Sequence, residues 1–499
     1  MNGGQRWHRW ATAAAIAALA AWAFWHRFRF SSLTPYPVGI DGYFYPIQLR
    51  SLLETGGLAY PSSPLALWLM APLAALTDPI VGAKLGAALG TAVLVVPVYF
   101  LGRRLARGDR AVGLLAAVLV ATSAESFYLS TEFVKNGISL TIAAAYLVAL
   151  ARAIESPTRL RIGVAVGALA GTALAHKTAF GFAVLASIVP MWLASRRRAL
   201  QIGAAAVGLA LVAGIVAPDR FVALADLSML GRMFTADADW TLPALHLPGF
   251  ALHFDYEVAV AGVLGVAALA IWIARDRRDR DANAALVVGP AALAVVAAIP
   301  WLDTADHQGL AFRLRLLSFL PLALCGAYVA GTALRAGDSL WRTLVPESPA
   351  LAPAVLAIGF ALGLIAARPA ESDEGVLRVH PAMQAAVRGV KVPDGATVII
   401  PERHILYMVK WYTRTPARLA PDGVDPALRW RLLPGAHLDR PIRQVIDRAR
   451  VEPVPGAAPR SLHSGDRNGL VLIDEATWQW IVAQLPPASR ERYESWPTI

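Results

Sequence analysis

Eleven apolar runs, broken on every second connection by a cluster of arginines, constrain this chain more than any other feature. They lie near Trp10–Trp25, Ile80–Leu101, Ala111–Ala124, Gly137–Ala151, Leu160–Ala175, Thr178–Ala194, Gly203–Ala217, Val258–Ala274, Ala284–Trp301, Leu314–Leu334 and Ala350–Ala367. Each crosses or nearly crosses a hydrocarbon layer of roughly 30 Å, and the shortest also suit re-entrant segments. No internal repeat is evident. Of 499 residues, 56% are hydrophobic and 16% charged, whereas soluble domains carry about 25% charged residues. A water-soluble core cannot bury so much apolar surface, so lipid must cover part of it.

The arginines set the orientation. Arg103/Arg104/Arg107/Arg110, Arg152/Arg159/Arg161, Arg196/Arg197/Arg198, Arg275/Arg277/Arg278/Arg280 and Arg335/Arg342 all fall on the side of the N-terminus. By the positive-inside rule that side is cytoplasmic, and an odd number of spans then leaves the C-terminal segment outside. The formal charge of +11 is thereby explained without a nucleic-acid partner. The basic start (Arg6, Arg9) and the first apolar run resemble a signal peptide. No small-residue cleavage site precedes His26-Arg27-Phe28-Arg29, so a retained first span is expected. The single cysteine, Cys325, lies in an apolar run; it rules out an internal disulfide and reads as a core residue.

From about Arg368 the composition turns to Pro, Asp, Arg and His. A strand-like Ala396-Thr-Val-Ile-Ile400 follows the turn-like Pro393-Asp394-Gly395. Gly469-Leu-Val-Leu-Ile473 leads into Asp474-Glu475 and a helix predicted over Ala476–Leu485. The expected architecture is therefore an all-α polytopic domain over residues 1–367, with a first outer loop at 31–79. A small α/β extracytoplasmic domain follows over residues 368–499.

With that orientation most acids and histidines sort to the outer face, among them Asp41, Glu54, Asp78, Glu125, Glu132, His176, Asp237, Asp239, His246, His253, Asp255, Glu257, Asp303, Asp306 and His307. In the first outer loop Tyr45, Leu49, Leu52 and Leu53 recur at helical spacing opposite Gln48, Arg50, Ser51 and Glu54, which predicts an interfacial helix ended by Gly56-Gly57. Asp41 stands just before it. Three roles are open to that carboxylate: a helix N-cap, an ion-pair partner of Arg50, or a reactive group at the membrane surface.

A first span followed by an acid, an amphipathic helix, Leu52-Leu-Glu-Thr-Gly-Gly57 and Tyr60-Pro61-Ser-Ser-Pro64-Leu resembles the lipid-sugar-dependent glycosyltransferases of the GT-C class, in the protein mannosyltransferase and aminoarabinose transferase branch. Lys84-Leu-Gly-Ala-Ala-Leu-Gly, Gly102-Arg-Arg, Lys135-Asn136-Gly-Ile-Ser-Leu, Ala175-His-Lys177 and Arg313-Leu-Arg315-Leu are similar to later spans of that branch. The likeness covers residues 10–335, and the C-terminal segment lies outside it.

The resemblance implies transfer of a sugar (hexosyl or pentosyl) from a polyprenyl-phosphate carrier to a glycan, lipid or protein acceptor on the extracytoplasmic face. Asp41 stands where the family has its catalytic base. A carboxylate within reach of an attacking hydroxyl can take its proton. A departing phosphate gathers negative charge that cations stabilise; Lys84, Lys135, Lys177, Arg313 and Arg315 are the candidates, with snorkelling to headgroups as their alternative use.

Two departures from the family pattern follow. Asn136 occupies a position where many relatives carry an acid, and Glu132, one turn earlier, is the nearest acid and the candidate substitute. No cofactor is required by the sequence. A divalent metal is conceivable at Asp303-Thr-Ala-Asp306-His307 or His253-Phe-Asp255-Tyr-Glu257, whose donor types suit one, and solvated loop charge explains the same residues. In relatives a loop placed like Pro218–Asp255 covers the site, and a plain membrane-hugging loop has the same composition. A transporter or flippase would place ionisable groups in mid-membrane, unlike these spans. A polymerase or ligase of lipid-linked envelope glycans shares the same surface logic. Alanine- and arginine-rich composition points to a bacterial inner (plasma) membrane and an undecaprenyl-type lipid.

Overall fold

The computed structural model describes residues 3–39, 41–197 and 199–200, the short pieces 203–204, 207–208, 211 and 233–235, and then 254–277, 281–304 and 309–344. Beyond these it describes 388, 397–399, 403–413, 417–418, 429–434, 440–442, 444–445 and 470–494. The expected spans at Gly203–Ala217 and Ala350–Ala367, and the loop Pro218–Asp255, lie largely or wholly outside the described residues. The chain forms two compact units, Met1–Leu33 with Leu58–Ser372, and Thr34–Gly57 with Asp373–Ile499. This differs from a single cut at 367/368, because much of the first loop belongs with the C-terminal segment.

The first unit is helical. Its elements are α1 (Gly3–Ser31), α3 (Leu65–Leu76), α4 (Pro79–Ala92), α5 (Val95–Leu105), α6 (Arg110–Thr122), α7 (Ala124–Thr131), α8 (Val134–Glu155), α9 (Arg159–Ala175) and α10 (Lys177–Ala194), α2 belonging to the other unit. They continue with α11 (Phe254–Ile271), α12 (Val288–Ala297), α13 (Leu310–Leu316) and α14 (Phe319–Leu344). Among the described residues four helices are long and apolar enough to cross a membrane, or six if each of two bent pairs counts as one span. The protein is thus a mostly helical, multi-pass membrane protein.

Helix starts follow local chemistry. Asp78 accepts from the Ile80 and Val81 amides at 2.8 and 3.0 Å to cap α4, with Pro79 in its first turn. Asp109 caps α6 in the same way. These carboxylates satisfy amides that no preceding turn can reach. The core runs through Leu94, Val98, Leu101, Val120, Leu140, Leu147, Phe319 and Leu324, and Cys325 is buried within it.

Two expectations are corrected here. The stretch Leu65–Leu76, expected within the first outer loop, is an apolar helix packed on α4. Its backbone approaches so closely that a Cβ on Gly82 would lie 2.3 Å from Ala74 Cα. Gly82→Leu is therefore expected to separate α3 from α4 and lower the unfolding temperature in detergent, while Gly163→Leu, whose Cβ would meet nothing within 4 Å, leaves it unchanged. The second correction concerns α1, which runs on past Trp25 and buries Arg27. That guanidinium donates to Ala23 O at 3.0 Å, Ser126 Oγ at 2.9 Å and Ala121 O at 3.3 Å.

The second unit holds a four-stranded sheet in the order β2 (Ala417–Arg418), β1 (Thr397–Ile399), β3 (Arg429–Pro434), β4 (Leu470–Asp474). β1 runs parallel to both neighbours and β3 pairs antiparallel with β4, Leu432 opposite Leu472. Against it Ile442, Ile473, Trp478, Ile481 and Tyr493 form a small core. In the same unit α2 (Phe44–Thr55) packs on the helix Arg403–Thr413. The Tyr43 and Tyr412 hydroxyls are 2.9 Å apart, and the Phe44 ring lies 5.4 Å from that of Tyr407. Arg50 stacks 4.2 Å over Trp411 and donates to its carbonyl at 3.1 Å. As expected, α2 ends at Gly56, in the left-handed region at φ 72°.

Candidate active site

Helix polarity defines two ends of the first unit. α8 carries Lys135 in its first turn and Glu155 in its last, and 22 residues at about 1.5 Å each separate them by roughly 30 Å. At the Glu155 end, Arg104 pairs with Glu155 at 2.6 Å and donates to Asn283 at 2.9 Å, while Arg107 pairs with Asp276 at 2.8 Å. Three of the arginine-bearing connections thus meet at one end, as their alternation along the sequence required.

The other end gathers three of the predicted cations. His176 sits between α9 and α10, where its Nδ1 accepts from the Thr178 amide at 3.2 Å. Burial pushes its pKa well below the ordinary 6.5, and the charges of Lys135, Arg313 and Lys177 push it further in the same direction. The imidazole is thus neutral at pH 7 and lies in the shared field of three cations from three helices. Lys135 Nζ is 2.8 Å from Ser62 Oγ. The Arg313 guanidinium lies 5.8 Å from the Phe133 ring, which also neighbours Tyr128 and Phe312. Glu132 caps the end of α7, buried one residue before Phe133. Such a concentration of positive charge beside aromatic surface suits a phosphate carrying an apolar tail.

The linkage sign follows from the lowered pKa. Below pH 6.5 the unfolded chain protonates His176 and the folded one does not, so stability is complete above that pH and declines beneath it. His176→Asn keeps a side-chain acceptor for Thr178. It is expected to flatten the fall of the unfolding temperature between pH 6.5 and 5, and an unchanged slope would contradict the electrostatic assignment.

The remaining predicted cations stand apart from this group in their contacts. Lys84 is buried in α4. Arg315 donates to Ala297 O and Ile299 O, both at 3.3 Å, and so closes the carbonyl end of α12. In the second unit Asp41 is half-buried in the turn before α2. The N-cap position of that helix falls on Tyr43. Burial and the neighbouring Tyr412 push the Tyr43 pKa up, keeping its phenol protonated.

Two helix pairs of the bundle are broken, and each break is held by a buried glutamate. α6 and α7 are bent by 48°, and α13 and α14 by 43°. Glu257 of α11 accepts from Ser123 Oγ and from the Ala124 amide at 2.7 Å, at the first break. Glu125, one residue further on, accepts from Ser318 Oγ at 2.8 Å and the Phe319 amide at 2.7 Å, at the second. The only signal in the sequence was Ser123, a helix-start residue inside an apolar stretch. Glu257 is thereby engaged as a helix cap, which removes a donor from one of the two conceivable metal sets. Among the described residues no three His, Cys, Asp or Glu are grouped to hold a metal. His253, Asp306 and His307 lie outside the described residues.

The pattern of the family described as dolichyl-phosphate-mannose-protein mannosyltransferase matches residues 61–221, a stretch that holds Lys84, Glu132, Lys135 and Lys177 but neither Asp41 nor Arg313. No curated protein matches by sequence. Among solved structures, ArnT from Cupriavidus metallidurans bound to undecaprenyl phosphate is 13% identical with a TM-score of 0.54, covering 92% of this chain and 97% of that one. Its apo state is 14% identical at 0.53, covering 97% and 100%. The archaeal oligosaccharyltransferase AglB from Archaeoglobus fulgidus, in complex with an inhibitory peptide and a dolichol-phosphate, is 11% identical at 0.55. That alignment covers 83% of this chain and 65% of AglB, so the chain spans less than two thirds of that protein's length. The chain has the GT-C membrane fold.

Proposed function

We propose that this GT-C chain is a membrane glycosyltransferase that moves a sugar from a polyprenyl-phosphate carrier to an acceptor on the extracytoplasmic face. The observation that carries the reading is the meeting of Lys135, Lys177 and Arg313 around neutral His176, at the end of the bundle opposite the arginine clusters. The family pattern over residues 61–221 and the lipid phosphates bound by two fold relatives agree with it. Eleven spans, a cytoplasmic N-terminus and an extracytoplasmic segment 368–499 complete the reading and rest on the alternation of arginines.

In the proposed reaction the acceptor hydroxyl attacks the anomeric carbon as Asp41 takes its proton. The anomeric carbon–oxygen bond to the carrier breaks, and the polyprenyl phosphate leaves with the electron pair. Lys135, Lys177 and Arg313 stabilise the charge that collects on the phosphate, with Lys84 as a further candidate. Preorganised cations of this kind contribute to the transition state more than to the bound substrate. Glu132 is the second acid of the proposed site, and Arg315 serves it by holding the end of α12.

Mass spectrometry of envelope glycans from cells with and without the gene tests the reading, paired with transfer from a radiolabelled undecaprenyl-phosphate sugar. Loss of one glycan modification is expected in the deletion strain. Lys135→Ala and Arg313→Ala are each expected to lower kcat/KM for the lipid donor by about 10²-fold. Unchanged glycans, or export of an unmodified lipid-linked sugar in place of transfer, would overturn the assignment in favour of a flippase.

A further inference from the structure

At the arginine-rich end of the first unit, α5, the turn after it, the last two turns of α8 and the entry to α12 line a half-open cavity of about 430 Å³. Its walls include Phe100, Arg103, Arg104, Arg107, Arg152 and Glu155. Its size falls within the ~300–1,000 Å³ range of small-molecule sites.

The charges around it are unequally engaged. Arg104 is held by Glu155 and Asn283, and Arg107 by Asp276. Asp281 accepts from the Asn283 and Ala284 amides at 2.9 and 3.2 Å, capping the turn that enters α12. Every acid at the cavity therefore has a partner. Two arginines remain. Arg103 donates through Nε alone, to Gly108 O at 3.1 Å, and its two Nη groups have no protein partner among the described residues. Arg152 is exposed, with its guanidinium 5.9 Å from the Phe100 ring, and its side chain donates to no protein group among the described residues. Both sit in last turns of helices, α5 and α8, where the dipole favours cations. That accounts for their charge but not for the cavity between them.

The apolar side of the cavity indicates what fills it. Phe100 is 38% exposed and continues a stripe of exposed Leu89 and Val93, spaced by four and seven residues along α4 and α5 and so on one helix face. In a membrane-spanning bundle that stripe faces acyl chains. A free phosphate would use the arginines and leave this wall bare, whereas a glycerophospholipid satisfies both. Basic pockets between helices at a membrane border recognise such headgroups.

We propose that this cavity binds the phosphodiester headgroup of an anionic glycerophospholipid between Arg103 and Arg152, with one acyl chain running from Phe100 along Val93 and Leu89. The site lies at the end of the bundle away from the proposed transfer site, and it stands whether or not that function is correct.

The full-length protein in mixed micelles, observed by native mass spectrometry, tests the proposal. Phosphatidylglycerol is expected to remain bound at collision energies that strip phosphatidylcholine, and inorganic phosphate at equal concentration should not displace it. Arg103→Gln/Arg152→Gln should weaken phosphatidylglycerol binding by more than about tenfold, taking roughly fivefold per arginine. Arg103→Lys/Arg152→Lys keeps both charges and should retain most of it. Equal retention of phosphatidylglycerol in the Gln double variant would overturn the proposal. So would equal binding of phosphatidylcholine, and displacement by inorganic phosphate would reassign the site to a soluble anion. If the Gln variant is unstable, Phe100→Ser with both arginines intact should still loosen the lipid, and no change there would equally count against it.

Discussion

Asp41→Asn is expected to abolish sugar transfer while leaving the protein inserted and folded. The substitution preserves size and one acceptor oxygen but removes the ability to take a proton, and general-base catalysis contributes about 10²–10⁴-fold to rates of this kind. The loss should therefore appear in kcat, with the KM for the lipid donor little changed, because the proposed phosphate-binding cations lie on other residues. Structural costs should be small. Asp41 is half-buried, the N-cap position of α2 is Tyr43, and the helix is held to Arg403–Thr413 by Tyr43, Phe44 and Arg50. Transfer from a radiolabelled undecaprenyl-phosphate sugar measures the rate, and size-exclusion elution with the unfolding temperature checks the fold. Retention of more than about a tenth of the wild-type kcat would remove Asp41 from the base role. A raised KM at constant kcat would instead mark it as a binding group.

The second large effect is expected from the buried glutamates. A break inside a membrane-spanning helix leaves amides without a partner in the preceding turn, and lipid surroundings give no water to replace it. Glu257 meets that need at Ala124 and Glu125 meets it at Phe319. Both carboxylates also face the positive end of the helix they cap. Glu257→Ala strands the part-buried Ala124 amide and the Ser123 hydroxyl, while Glu125→Ala strands the buried Phe319 amide and leaves Ser318 Oγ donating to Arg315 O at 2.6 Å. At about 1–3 kcal/mol per group, a loss of roughly 1–4 kcal/mol is expected, larger for Glu257. The Gln variants keep an acceptor oxygen and should lose about half as much. Because Glu125 lies on the helix whose start Glu257 holds, the double Ala variant should cost less than the sum of the singles. Chemical denaturation in detergent measures all three. Single Ala variants within about 0.5 kcal/mol of wild type would show that the breaks hold without the carboxylates.

Local pattern and distant contact contribute differently to these residues. Asp41 is legible from its neighbours: a first apolar run before it and an amphipathic helix after it. The role of Glu257 could not be read in this way. Its partner Ser123 lies 134 residues earlier, and nothing local distinguishes a capping glutamate from a metal donor or a solvated one. The helix Leu65–Leu76 is not legible along the chain for a related reason. Twelve residues are too few to cross a bilayer alone, and the prolines before it read as loop. Its burial against α4 depends on Gly82 in the next helix. Arg27 reads as lying beyond the first span because a charge ordinarily ends an apolar run. Ser126 and the Ala121 carbonyl, on other helices, are what allow it inside.

By itself the sequence determined that this chain is helical and multi-pass, which connections share one end of the bundle, and which residue types were available for chemistry at the other. Hydrophobicity and charge are properties of each residue, and a bilayer sorts them one span at a time. The tertiary structure decided that Lys135, Lys177 and Arg313 share one field at His176 while Arg315 closes a helix end. It also decided that Thr34–Gly57 belongs with the C-terminal segment. Those outcomes depend on contacts between distant segments, and only the packing of the whole bundle selects them.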